Sequence, residues 1–377
     1  MKITVVQGAF FPIPPIRGGA VEKVWFALAR EFARRGHTVT HISRQFAGLA
    51  NEEVIDDVRY IRIPGYDSPR SLAYLKFLDL LYSLRARRTL PNADILVTNT
   101  FWLPLLIRSE RFGKLYIHIQ RYPKGQMRFY RHAHRLQTVS KHIRDAIIRE
   151  VPSLVTKTIS IPNPLGEGID LQASEDAPRV CEPWILYVGR IHPEKGIAVL
   201  LEAATLLAGN MDSSWKLVLV GPTDVAAGGG GSDYFERLKK IAAPIKDRVE
   251  WVGPVYDSKR LSDYYRRSSL FVYPSLAEVG EACPLAPVEA MAEGCPALVS
   301  DLECFRDYLE DSSNGFVFNH RAKEPAAELA AKISLLLSDQ SLLALVGRAA
   351  LLKAKEFSPA TIADTYLRDF RTLFEVN

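Results

Sequence analysis

The chain has 377 residues, 47% hydrophobic and 24% charged, a globular balance that excludes a disordered, collagenous or coiled-coil protein. A single core rarely grows beyond roughly 250–300 residues, so two domains are expected. Lys and Arg number 48 against 43 Asp and Glu, but residues 1–177 hold 26 cations against 16 anions and the remainder 22 against 27, so the first part is suited to an acidic partner or carries a solvated basic face.

In chain order, Ile3–Val6 reads as a buried strand, and Val21–Arg35 as a helix with Val21, Val24, Trp25, Leu28 and Phe32 at helical spacing. Gly36 stops that helix. Strands follow at Val39–Ile42 and Tyr60–Ile63, then an apolar helix over Leu72–Arg88 with basic residues in its last turn. Further strands read at Ile95–Thr98, Leu115–Ile119, Leu136–Val139 and Thr158–Ile161. Residues 166–183 are rich in Pro, Gly and acids and read as a linker. The alternation then restarts with strand Trp184–Val188, helix Ile197–Leu207 and strand Lys216–Val220. Loop 222–232 carries four consecutive glycines, Gly228–Gly231, and is expected to be mobile. Strands at Val249–Val252, Leu270–Tyr273 and Ala297–Ser300 precede a helical stretch, 323–377, broken at Ser358-Pro359.

Strands alternating with helices imply parallel sheets, because parallel neighbours need a crossover. The expectation is two Rossmann-like, doubly wound α/β domains facing a central cleft: residues 1–165, a linker 166–183, and 184–357. Ligands of such sheets bind outside the carboxyl ends of the strands. No apolar run approaches the ~18 residues of a spanning helix. The first residues are too short and strand-like for a signal peptide, so a soluble, cytoplasmic protein is expected. The four cysteines (181, 283, 295, 304) have no zinc spacing and read as reduced thiols.

The loops after the strands hold the chemistry. After the first strand, Arg17-Gly18-Gly19 opens a helix, where backbone N–H groups can meet an anion; a purely structural glycine turn reads equally well. The spacing from Gly8 to Gly18 is too long for a dinucleotide fingerprint. After Val188, Gly189-Arg190…Lys195-Gly196 sets a guanidinium and an ammonium five residues apart, a pairing suited to a diphosphate. After Tyr273, Glu281 lies in a loop and Glu289 eight residues on, in an apolar helix. A carboxylate there is expensive to bury without partners, and ribose hydroxyls would serve. Leu285 opens the helix, so its N–H is free for a phosphate or sugar oxygen.

These motifs, with His118, Val139-Ser140-Lys141 and Ile161-Pro162-Asn163-Pro164, make the chain resemble the family 4 glycosyltransferases, retaining enzymes of GT-B fold with nucleotide-sugar donors. The resemblance implies that Arg190 and Lys195 hold the donor diphosphate, that Glu289 takes the ribose hydroxyls and that Glu281 and His118 contact the transferred sugar. Gly18, Gly19, Gly189, Leu285 and Ala286 would complete the donor side. It also implies that the C-terminal helix, 358–377, crosses back to the first domain. Where the family has Phe-Gly, this chain has Cys283-Pro284; proline lacks an N–H, which leaves the sugar open. No DxD-type metal motif is present, the nearest being Asp301-Leu302-Glu303. With Arg190 and Lys195 opposite the leaving phosphate, no metal or other cofactor is expected.

Basic residues crowd Arg121–Arg149 with aromatics between them. A nucleic-acid reading would use the same features, yet no nucleic-acid module is recognisable. Arg121, Lys124, Arg128 and Arg131 are expected to face an acidic acceptor or an anionic membrane, the inner face of the plasma membrane. The reaction expected is hexose transfer to a saccharide or lipid-linked saccharide acceptor in cell-surface polysaccharide or glycoconjugate synthesis. The alternatives are a nucleotide-sugar epimerase on the same fold and a decayed sugar-nucleotide-binding scaffold.

Overall fold

The computed structural model describes residues 1–16, 19–69, 71–166, 169, 179, 181–210 and 215–375. The chain divides into two compact units, Met1–Gly166 with Pro359–Asn377, and Glu167–Ser358.

The first unit runs β1 (Lys2–Val6), α1 (Ala20–Arg34), β2 (Thr38–Arg44), β3 (Glu52–Ile55), β4 (Val58–Ile63), α2 (Leu72–Thr89), β5 (Ile95–Thr98), α3 (Leu103–Leu106), β6 (Lys114–Ile119), β7 (Arg135–Thr138), α4 (Lys141–Glu150) and β8 (Thr158–Ser160). Its strands order as β3-β4-β2-β1-β5-β6-β7-β8, parallel except for the β3–β4 hairpin. That hairpin was not expected. It turns on Asp56 and Asp57, both with positive φ, the conformation of a tight two-residue hairpin turn.

The second unit runs β9 (Glu182–Val188), α5 (Ile197–Asn210), β10 (Lys216–Val220), α6 (Gly231–Ala242), β11 (Val249–Gly253), α7 (Ser258–Arg267), β12 (Ser268–Tyr273), α8 (Leu285–Ala292), β13 (Ala297–Ser300), β14 (Phe316–Phe318), α9 (Pro325–Ser338) and α10 (Gln340–Ala354). The order is β11-β10-β9-β12-β13-β14, with the short β14 an addition to the expected set. Most residues of the expected linker lie outside the described residues, and β9 begins at Glu182 rather than Trp184.

The last helix, α11 (Pro359–Glu375), belongs to the first unit. Ile362, Ala363, Tyr366, Leu367 and Phe370 form a stripe at helical spacing and are buried in the core that α1 shares with the sheet. Tyr366 and Phe370 pack edge-on against Phe32, and Phe370 against Tyr116. Arg35–Asp364 at 2.7 Å and Arg135–Asp369 at 2.9 Å hold the two sides of the helix.

Candidate functional site

In the second sheet the chain order reverses between β9 and β12, which are neighbours. Such a switch point is where open α/β sheets bind ligands. The loops leaving these two strands are Gly189–Gly196 and Pro274–Pro284, and they are joined to each other. The Leu276 N–H donates to the Glu194 carbonyl at 2.8 Å, and the Ser275 hydroxyl donates to the same oxygen at 3.3 Å. Gly196 sits at φ +70°, and a Cβ there would strike the Pro274 carbonyl oxygen. Glycine is what lets the loops close this far.

The junction carries Lys195 and Glu281. Both side chains are buried and ion-paired. The same Glu281 oxygen accepts from Ser275 Oγ at 2.8 Å and from the Tyr273 hydroxyl at 3.1 Å. The Lys195 ammonium lies 5.5 Å above the Tyr273 ring. Burying two opposite charges is favourable only when the geometry also satisfies their hydrogen bonds, as it does here. Burial and the Glu281 charge push the Tyr273 phenol well above its usual range, so it remains a donor. Spacing alone does not single out Ser275 or Tyr273, although Tyr273 ends β12 and Ser275 lies in the loop that carries Glu281.

Arg190 stands half-exposed at the rim. Its guanidinium donates to Glu194 Oε1 at 2.8 Å and to the Gly228 carbonyl at 3.1 Å, and its carbonyl accepts from the Tyr187 hydroxyl at 2.9 Å. The four-glycine stretch forms a hydrogen-bonded turn. Gly229 N–H donates to the Asp224 carbonyl and Gly230 N–H to the Ile191 carbonyl, each at 2.8 Å. A Cβ on Gly228 would crowd the Arg190 side chain.

Helix α8 starts at Leu285 behind Pro284 with no side chain capping it. The Leu285 and Ala286 amides thus open the helix as donors, as the sequence implied. Glu289, one turn on and half-buried, accepts from the Tyr265 hydroxyl at 2.8 Å. Glu278 fastens the loop from outside, with Arg321 donating to both its oxygens at 2.7 Å and His320 at 2.9 Å. Asp301, from the nearest DxD-like motif, is paired with Arg306 at 2.7 Å.

The first sheet reverses between β1 and β5. Across it runs a polar row that no local motif reveals. Ser43 pairs in register with Arg62, and His118 with Gln137. One step beyond the last paired residues of β1, Gln7 falls between Ser43 and Asn99. By strand alternation these residues share the face that α1 covers. Gln7 is 1% exposed and His118 3%. Among the described residues, both amide atoms of Gln7, Ser43 Oγ, Asn99 Oδ1, His118 Nε2 and the Trp25 indole nitrogen have no hydrogen-bond partner. Buried polar atoms of this kind call for water or ligand oxygens.

His118 lies within β6 rather than after it. Its Nδ1 contacts Gln137 Oε1 and its ring meets Trp25 edge-on at 5.2 Å. Burial lowers its pKa to about 4, so the imidazole is neutral at neutral pH. Gly19 caps α1, and the Glu22 carboxyl, its pKa raised by burial, lies against it. Gly18 and Arg17 lie outside the described residues. Arg121, Lys124, Arg128 and Arg131 are all exposed. The structure thus gathers Arg190, Gly189, Lys195 and Glu281 at one switch point, with Leu285, Ala286 and Glu289 on the helix that follows, and sets His118 and Gly19 in the other unit.

Two doubly wound sheets in tandem, one with cations and carboxylates converging at its switch point, make up the described architecture. The family model described as "Glycosyl transferases group 1" matches residues 173–352, and "Glycosyltransferase Family 4" matches 17–165. The chain belongs to the family 4 glycosyltransferases of GT-B fold and is a glycosyltransferase. It is 26% identical over 360 residues to Spore coat protein SA of Bacillus subtilis (strain 168), covering 90% of each chain. It is 25% identical to the phosphatidyl-myo-inositol mannosyltransferase of Mycobacterium leprae (strain TN), covering 90% of this chain and 88% of the relative. In fold it is similar to Anabaena HepE in complex with UDP, with TM-score 0.70, 16% identity, and 99% and 100% of the two chains covered. Among the described residues no single helix is long and apolar enough to cross a membrane.

Proposed function

We propose that this enzyme transfers a hexose-type sugar from a nucleotide-sugar donor to a saccharide or lipid-linked saccharide, with retention and without a metal, in the building of a cell-surface polysaccharide or glycoconjugate. The observation that carries the reading is the convergence of Arg190, Lys195 and Glu281 on the two loops of the β9/β12 switch point. Breaking the glycosidic bond sends its electron pair onto the departing diphosphate and leaves positive charge on the ring. Arg190, Lys195 and the amide end of α8 stand ready for the first charge, and Glu281 for the sugar. Both cations are paired with carboxylates in the free protein, so an arriving diphosphate exchanges partners rather than meeting bare charge. Glu289 serves the ribose hydroxyls. The UDP bound by HepE supports a nucleotide on this fold.

On the acceptor side, the row Ser43–Gln7–Asn99–His118 offers neutral donors and acceptors, which suits sugar hydroxyls better than phosphate. A cytoplasmic enzyme working at the inner face of the plasma membrane would meet a lipid-linked acceptor there.

The test is a panel of nucleotide sugars, with released nucleoside diphosphate and free sugar followed by mass spectrometry and the product anomer by NMR. Slow hydrolysis of one donor, retained configuration, insensitivity to a chelator, and loss in Lys195→Ala and Glu281→Ala are the expected results. Conversion of a donor to its epimer without nucleotide release would replace the reading with an epimerase. No turnover and no thermal shift with any nucleotide would leave a scaffold.

A further inference from the structure

The apolar helix expected over residues 72–88 is only half used by the core. In α2, Leu78, Tyr82, Ser83 and Ala86 turn inward, but the first two turns face out, with Leu72 77%, Tyr74 54% and Phe77 53% exposed. Isolated apolar residues on a surface need no explanation, whereas a contiguous aromatic and aliphatic group does.

This face is held rigid. The buried Asp79 accepts the Phe101 and Trp102 N–H groups at 3.1 and 3.2 Å, and the Trp102 indole donates to the Lys76 carbonyl at 2.8 Å. The Tyr130 hydroxyl reaches the Phe101 carbonyl at 3.0 Å, which brings the 127–131 segment alongside. There Phe129 is exposed beneath the Arg128 guanidinium, as Phe101 lies beneath the Lys76 ammonium.

The face also carries cations. Lys76, Arg128 and Arg131 are exposed, and none forms an ion pair among the described residues. Two nearby carboxylates are engaged by backbone amides: Asp79 as above, and Glu150, which accepts from Gly125 and Met127 at 2.9 and 2.8 Å. Unpaired cations ringing exposed aliphatic and aromatic side chains match a surface that is anionic outside and hydrocarbon beneath. A nucleic acid would satisfy the cations but leave Leu72 and Phe77 in water.

We propose that the first two turns of α2, together with Phe129, insert into the interfacial layer of an anionic bilayer, and that the acceptor is accordingly lipid-linked rather than a free saccharide. The acceptor half of this inference rests on the glycosyl-transfer reading above; the docking half does not. Tyrosine and phenylalanine suit the headgroup level, leucine the layer below, and each nearby cation adds roughly fivefold to the affinity for anionic lipid.

Co-sedimentation with vesicles of phosphatidylcholine, alone or doped with phosphatidylglycerol, tests the docking. The protein should bind the doped vesicles, release at high salt, and show Trp102 fluorescence quenched by brominated acyl chains. Leu72→Ser/Phe77→Ser should weaken binding at least tenfold with unchanged melting and donor hydrolysis. Arg128→Glu/Arg131→Glu should weaken it on the order of a hundredfold. No binding by the parent protein, equal binding to neutral vesicles, or full binding by Leu72→Ser/Phe77→Ser would overturn the proposal. So would a parent dimer that the serine variant dissociates, since a second copy would then cover the face. A parent with neither donor turnover nor a nucleotide-induced thermal shift would sink the glycosyl-transfer reading while leaving the vesicle result standing.

Discussion

The two sheets of this protein are built alike and equipped differently. The parallel strands of each reverse their order once, at β1/β5 in the first unit and at β9/β12 in the second. At β9/β12 the loops carry paired charges, Lys195 with Glu281 and Arg190 with Glu194. At β1/β5 the corresponding positions are neutral amides, a hydroxyl and an imidazole whose low pKa keeps it uncharged. The fold supplies the same carboxyl-end platform twice, and the side chains decide what each platform can hold. Under the proposed function the charged platform meets a diphosphate and the neutral one meets hydroxyls.

The largest effect should come from breaking the charged platform. Under the proposed function, Lys195→Ala removes a fixed cation from the leaving phosphate, and donor turnover should fall about 100- to 1000-fold, read as released nucleoside diphosphate. It also leaves Glu281 buried with Ser275 and Tyr273 as its side-chain partners among the described residues. A buried pair broken on one side loses about 3–5 kcal/mol, so urea unfolding should show a destabilised protein. Turnover within threefold of the parent would move the phosphate site away from the β9/β12 loops.

The neutral platform makes a prediction in pH. The His118 pKa lies at about 4 in the folded protein, lowered from 6.5 chiefly by burial. The unfolded chain therefore takes up this proton first, and the stability it represents is complete above pH 6.5 and lost as pH falls toward 4. Between pH 7 and 5 the loss is about 2 kcal/mol. His118→Asn should lose that much less than the parent over the same interval in urea unfolding. Identical pH slopes for the two would mean that His118 is not held neutral. Gln7→Leu sharpens the same point more gently. It removes two buried atoms without partners among the described residues, so stability should hold or rise by about 1 kcal/mol, while the acceptor KM rises about tenfold and the donor KM stays put. Equal changes in both KM values would deny the division of labour between the platforms.

How much of this was legible beforehand depended on the distance over which residues cooperate. Ile3–Val6 and the Val21–Phe32 stripe declare their elements locally, through burial on one face. Gly189–Gly196 was legible for the same reason: its guanidinium, ammonium and glycines lie within eight residues. β3 was missed because Glu52–Ile55 is half acidic and exposed, and its evidence is a two-residue turn. The polar row was invisible because Ser43 and His118 sit on two strands, Gln7 and Asn99 lie one residue past the ends of two others, and only register aligns them. The Lys195–Glu281 contact spans 86 residues. Periodicity identified α2 as a helix but carries no information on which turns the core would cover.

The smallest predicted effect concerns how the charged platform is held. Glu278 lies three residues before Glu281 and is gripped by Arg321 and His320, which follow β14. Arg321 holds its carboxyl below the usual range, and the pair is about half exposed, so solvent screens it. Exposed ion pairs contribute about 0–1 kcal/mol. Glu278→Gln should therefore move the melting temperature little, and the Lys195–Glu281 junction should survive through its own buried hydrogen bonds. What should change is the freedom of the 274–284 loop, seen as a two- to threefold rise in donor KM at constant kcat, on the order of 0.5 kcal/mol. A fall in kcat of tenfold or more would instead show that Arg321 positions Glu281 through this loop, and the charged platform would then extend to β14.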